Sequence, residues 1–95
     1  MTVTHSTERQ MFSIAVAGHE DSYLKYRYLD TQQREVEMFT TVVPPSLGGR
    51  GVAKLLADDA FTWAVENGLK MKLTCWYLSG YLRRHPRDDV LRLVI

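Results

Sequence analysis

The spacing of apolar residues changes period twice between Glu35 and Cys75, and this limits the folds open to the chain more than any other feature. "EVEMFTTVV" (Glu35–Val43) alternates, with Val36, Met38 and Thr40 to one side, as a strand does. Pro44-Pro45 ends it, since the residue before a proline stays extended and proline cannot extend a ladder. From Gly51 onward Val52, Leu55, Leu56, Ala60, Trp63 and Ala64 fall at helical spacing, with Lys54, Asp58 and Glu66 outside the stripe. Asn67-Gly68 stops a helix of about 17 residues, roughly 25 Å at 1.5 Å per residue. "LKMKLTC" (Leu69–Cys75) then alternates again. A crossover helix between two strands places those strands parallel in one sheet.

The flanking segments complete an α+β reading. "RQMFSIAVA" (Arg9–Ala17) sets Phe12, Ile14 and Val16 on one side of a strand, and "GHED" (Gly18–Asp21) turns the chain. "SYLKYRYL" alternates Leu24, Tyr26 and Tyr28 against Tyr23, Lys25 and Arg27 in residues favourable to strands, and "DTQQR" (Asp30–Arg34) reverses it. An antiparallel meander therefore leads into the β-α-β unit. "WYLSGYLRR" (Trp76–Arg84) reads as a short C-terminal helix ended by Pro86, and the apolar tail "DDVLRLVI" docks as either helix or strand. Residues 1–95 form a single domain, near the low end of the sizes that fold alone.

Composition narrows the function classes. With a formal net charge of +1, nothing global attracts nucleic acid or an anionic membrane, so any anion site is local. One cysteine, Cys75, allows no internal disulfide framework and fits a reducing compartment. "MTVTHSTERQ" lacks the basic and apolar regions of a signal peptide, and no segment has the apolar length of a membrane helix. The expectation is a cytoplasmic protein. His5, His19 and His85 sit at a terminus, a turn and a helix end with no metal-ligand spacing, so no metal is expected.

The start of the long helix points to an anion. The first four N–H groups of a helix have no intrahelical partner, and a capping hydroxyl or carboxylate with a following Glu usually serves them. Here Ser46 is followed three residues on by Gly49, and Arg50 and Lys54 flank the helix start, where the positive dipole end favours acids. Bare donors, glycines and cations together suit a phosphate or pyrophosphate. The P-loop pattern fails, since Leu55 stands where Ser or Thr must follow the lysine, and G-x-G-x-x-G fails at Lys54.

Gly48-Gly49-Arg50-Gly51-Val52-Ala53 resembles the pyrophosphate loop of the GNAT superfamily, the acyl-CoA-dependent N-acetyltransferases, whose pattern is Gln/Arg-x-x-Gly-x-Gly/Ala. It matches at Gly51 and Ala53 and departs at Gly48. The run from Glu35 to Pro86, with "GRGVAKLL" and "TCWYL" the most telling, resembles the smallest single-domain members. The resemblance implies a truncated GNAT-like fold, whose strands Glu35–Val43 and Leu69–Cys75 splay to admit the pantetheine arm of acetyl-CoA. Backbone groups of Val42 and Val43 would then pair with pantetheine, and the N–H groups of Gly48, Gly49, Arg50, Gly51, Val52 and Ala53, with Lys54 beside them, would hold the pyrophosphate.

Acetyl transfer to a primary amine asks for positioning, a polarised carbonyl and a proton for the leaving thiolate. Cys75 is read as a packing residue, a residue lining the cleft or an acyl carrier. Tyr77 and Tyr81, four apart on one helix face, are candidates to protonate the thiolate, Tyr81 first by the resemblance. Glu35 and Glu37 are possible bases, although their alternation places them outward and solvated. Trp63 and Trp76 are read as packing residues. Larger GNAT domains carry two helices between their first strands and two further terminal strands. Those acceptor-side elements are mostly missing here, and the acceptor is unidentified. A non-catalytic acyl-CoA-binding or sensing module and a small protein-interaction domain are the alternatives.

Overall fold

The alternating segments pair in sequence order into one five-stranded sheet in the computed structural model, which describes all 95 residues. The strands are β1 (Thr4–Ser6), β2 (Met11–Ile14), β3 (Ser22–Tyr28), β4 (Glu35–Val42) and β5 (Lys70–Leu73). β1 to β4 form the antiparallel meander, and β4 and β5 are parallel, as a crossover helix requires. α1 (Val52–Glu66) makes that crossover after a short 3-10 turn at Pro45–Leu47, and α2 (Trp76–Arg84) and α3 (Asp88–Leu91) follow β5.

Register fixes one buried face. Phe12 lies opposite Leu24, Tyr26 opposite Met38, and Val36 beside Met71, all buried. Leu56, Ala57, Ala60, Phe61 and Ala64 of α1, with Leu78, Tyr81 and Leu82 of α2, close the core against them. The opposite face carries Tyr23, Lys25, Arg27, Glu37 and Lys72, where Lys25, Arg27 and Lys72 meet solvent.

Four departures from the sequence reading have local causes. β1 is too short and polar to show alternation, yet its His5 turns inward, stacks on Phe12 at 4.0 Å and shares a 2.7 Å hydrogen bond with the Tyr26 hydroxyl. The α1 stripe centres on Ala57 and Phe61, which leaves Leu55 38% exposed. Trp63 sits at the stripe's margin, its ring 4.7 Å from that of Tyr26. Trp76, read as a packing residue, is instead 83% exposed on the first turn of α2. The tail uses both conformations: after α3, Leu93 accepts the Met71 N–H at 2.7 Å and Ile95 donates to the Met71 carbonyl at 2.8 Å, a parallel bridge on the outer edge of β5.

Candidate functional site

β4 outlasts its partner. Pairing with β5 runs from Glu35–Lys70 to Met38–Leu73, and the Cys75 N–H adds one bond of 3.2 Å to the Met38 carbonyl before the chain turns into α2. Phe39, Thr40, Thr41 and Val42 continue β4 with no β5 residue opposite them. The β3–β4 register skips at this point, from Tyr26–Met38 to Lys25–Thr40, so Phe39 is a bulged residue that re-aims the end of the strand. The two parallel strands thus part at Met38, and exposed apolar side chains, Phe39, Val42 and Trp76, stand on the residues that border the opening. Cys75 lies at its apex, buried, with its thiol donating to the Thr41 hydroxyl at 3.5 Å across the gap.

One turn further along, the backbone offers a row of donors. The amides of Gly49, Arg50, Gly51, Val52, Ala53 and Lys54 make no hydrogen bond within the chain. Gly48 differs, since its N–H is already donated to the Pro45 carbonyl at 3.0 Å. Ser46, the one hydroxyl close enough in sequence to act as a cap, instead bonds His19 Nδ1 at 2.8 Å. Gly51 occupies the N-cap with φ +75°, and α1 has no acid in its first turn. A side chain at Gly49 or Gly51 would meet no protein atom within 4 Å, so the space before these donors is open, and glycine is required there for its backbone angles. Arg50 and Lys54 enter no ion pair and add positive charge to the dipole end of α1.

α2 brings the tyrosines together. The Tyr77 and Tyr81 rings stack at 5.9 Å, and Tyr81 packs on His85 at 4.9 Å. The Tyr81 hydroxyl is donated to Asp58 of α1 at 2.8 Å, and burial first, then this bond, pushes its pKa up to about 12. Tyr77 is raised by burial, with Arg84 opposing and with Asp58 and Cys75 adding to the rise; its hydroxyl has no partner in the chain. Tyr81, the first choice from sequence, is therefore already committed to α1, whereas Tyr77 keeps a free donor.

Glu37 overturns the expectation of a solvated outward acid. It is only 9% exposed; its Oε1 accepts from Arg27 Nε at 2.7 Å and its Oε2 accepts the Thr74 hydroxyl at 2.6 Å. The Thr74 bond, then Arg27, hold its carboxyl below the usual range. It ties β3, β4 and the end of β5 together where the strands part, and is not a free base. Cross-strand pairing of Arg27 with Glu37 was the available signal, but it needs the register. No group of three or more His, Cys, Asp or Glu side chains converges as a metal site.

Known proteins resemble this chain in sequence and in fold. The sequence profile described as GCN5-related N-acetyl-transferase matches residues 11–91. Protein NATD1 of Mus musculus is 40% identical over 90 residues, covering 94% of this chain and 80% of that protein. The Homo sapiens protein NATD1 is 39% identical over 94% of this chain and 78% of its own length, and that of Danio rerio 34% identical over 100% and 86%. Among solved structures, the NMR structure of a GCN5-like putative N-acetyltransferase from Staphylococcus aureus aligns over 99% of this chain and 87% of that one, with a TM-score of 0.73 at 24% identity, a likeness of fold.

Proposed function

The chain belongs to the GCN5-related N-acetyltransferase family, and we propose that it binds acetyl-CoA and transfers the acetyl group to a primary amine. The observation that carries this reading is the unbonded amide row Gly49–Lys54 beside the opening between β4 and α2. The row suits the pyrophosphate, with Arg50 and Lys54 adding charge, and the free end of β4 through Val42 and Val43 suits an extended pantetheine arm. The thioester would then come to rest near Cys75 and Thr41. There the neutral amine nitrogen attacks the carbonyl carbon, the C–N bond forms and the C–S bond breaks, the thiolate takes a proton, and the proton shed by the amine nitrogen passes to solvent water, which restores the donor. In this proposal Tyr77 supplies that proton, Tyr81 orients Tyr77 by stacking, and Cys75 lines the cleft with its thiol on Thr41. The single cysteine agrees with a cytoplasmic setting.

Amide shift mapping with CoA and acetyl-CoA tests the first step. Gly49–Lys54 should move, whereas no thermal or spectral response to millimolar acetyl-CoA refutes the reading. Turnover on an amine panel tests the second: Tyr77→Phe should lower kcat and leave acetyl-CoA affinity unchanged. A second reading, an acyl-CoA-binding module without turnover, has its own support in the committed state of Glu37, which leaves β4 without a free carboxylate base near the opening. Binding with no acetylated product from any amine would favour it.

A further inference from the structure

The face of the sheet opposite the helices holds a concavity of about 250 Å³ lined by Arg27, Glu37 and Phe39. Arg27 and Glu37 oppose each other across β3 and β4. Phe39, 40% exposed, is the bulged residue just beyond Met38, the last β4 residue in register with β5. The concavity therefore opens beside the point where β4 and β5 part. It is smaller than the roughly 300 Å³ at which pockets begin to enclose a whole small ligand, and it suits one side chain of a larger molecule.

An exposed cation stands on each side of it. Lys25 of β3 lies opposite Thr40, and Lys72 of β5 lies opposite Glu37. The ion pairs of the chain are Arg27–Glu37 and Arg87–Asp89, so neither lysine is neutralised by one. Lys25 Nζ rests 5.4 Å from the centre of the Tyr23 ring. The acids of this face are already engaged. Lys72 lies near enough to Glu37 to lower its pKa, but both Glu37 oxygens are taken by Arg27 and Thr74, and Glu35 stands in register with Lys70. Two strand spacings, about 10 Å, and three residues along β4, about 10 Å, separate Lys25 from Lys72. The diagonal is about 14 Å, the length of about four residues of extended chain.

We propose that this face receives the acetyl acceptor as an extended acidic polypeptide, whose reacting lysine enters beside Phe39 with a carboxylate two residues to either side of it. One carboxylate meets Lys25 and the other Lys72, which the four-residue spacing allows. This deepens the transferase reading and rests on it. The donor row belongs to α1, on the helix-covered side, so the coenzyme reaches the opening from there and the acceptor from the bare face. An amine with acids on both sides of it along the chain is a lysine side chain, not a terminal amine. Phe39 packs on the methylene stem of that lysine.

The test uses the full chain, acetyl-CoA and three end-blocked peptides: Glu-Ala-Lys-Ala-Glu, Gln-Ala-Lys-Ala-Gln and Arg-Ala-Lys-Ala-Arg. Mass spectrometry scores the acetylated lysine, and amide shifts are followed on the CoA-loaded chain. The acidic peptide should show about fivefold higher kcat/KM than the neutral one, which is what two exposed ion pairs are worth, and the arginine peptide should fall lower still. The acidic peptide should also move the amides of Lys25, Phe39 and Lys72. The double variant Lys25→Gln/Lys72→Gln, altered at exposed positions, should bring the acidic peptide down to the neutral one. Equal kcat/KM for the three peptides, a preference for the arginine peptide, an acidic preference that survives the double variant, or shifts confined to α2 each overturns the proposal. If no peptide is acetylated, the shifts decide. Amides of Lys25, Phe39 and Lys72 that move more for the acidic peptide uphold the surface, and equal movement for the arginine peptide overturns it. The response of Gly49–Lys54 to CoA is recorded first on the same sample. Its absence refutes the transferase reading and the acceptor assignment with it, whereas an intact response beside any of the overturning results removes the acceptor assignment alone.

Discussion

Tyr81, buried, and His5, half-buried, show how single polar groups set the behaviour of this domain. Tyr81→Phe removes the donor to Asp58 at 2.8 Å and should cost about 1.5 kcal/mol, the value of a hydrogen bond to a charged partner, seen as a fall in Tm of roughly 6 °C. Because the phenol's pKa rises from 10.0 to about 12, the folded state requires the protonated form. Its contribution is whole below pH 10.0 and lost as pH climbs toward about 12, so alkaline melting curves should fall through that window and fall less in Tyr81→Phe. Tyr77 shifts the same way for the same first reason, burial, so the variant lessens the fall without removing it. His5 works at the other end. Burial lowers its pKa below 6.5 against an opposing pull from Asp59, so stability should fall as pH drops under 6.5. A ring-proton titration of His5 with a midpoint at or above 6.5 would refute this.

At the scale of elements, α1 carries both the core and the donor row, and the two roles separate by substitution. Gly51→Ala forces a side chain onto φ +75° and should cost about 1 kcal/mol. Gly68→Ala imposes a similar strain at φ +62° beyond the other end of the helix. If the row Gly49–Lys54 holds pyrophosphate, only Gly51→Ala should also weaken CoA binding, measured by calorimetry; equal affinity in the two variants would detach the loop from the ligand. Phe61→Ala, by contrast, opens the core beneath α1 at a fully buried position and should cost about 3–5 kcal/mol in denaturant unfolding. In a domain of this size such a loss approaches the whole stability. Pro44-Pro45, Gly51 and the helical stripe made the strand–turn–helix junction legible in the sequence, and the span of α2 as well, because those signals are local. The stripe's rotation by about one residue, which exposed Leu55 and buried Ala57, was not, because the sheet surface beneath decides which side of an alanine-rich helix faces in.

For the molecule as a whole, one face of the sheet is closed by helices and the other presents Lys25, Arg27 and Lys72 to solvent. The domain is small, and a ligand that binds only the folded state should stabilise it strongly: acetyl-CoA at 100 times its Kd should add about 2.7 kcal/mol. A Tm independent of acetyl-CoA concentration would contradict binding to the native state. The Arg27–Glu37–Thr74 tie crosses three strands at the point where β4 and β5 part. Its members stand ten and 37 residues apart, so no local pattern announces it.

The sequence by itself determined where four of the five strands and the long helix lie, that β4 and β5 run parallel, and that the helix opens on glycines without an acid. These follow from the period of side chains and the conformational limits of Pro and Gly, which act within a few residues. Tertiary structure alone decided that β1 joins the sheet through His5, that Tyr81 is spent on Asp58 and Tyr77 is not, that Glu37 is a strut, and that the tail edges β5 only as far as Met71. Each depends on which distant surfaces meet, where burial makes an unpaired polar group costly and so chooses its partner.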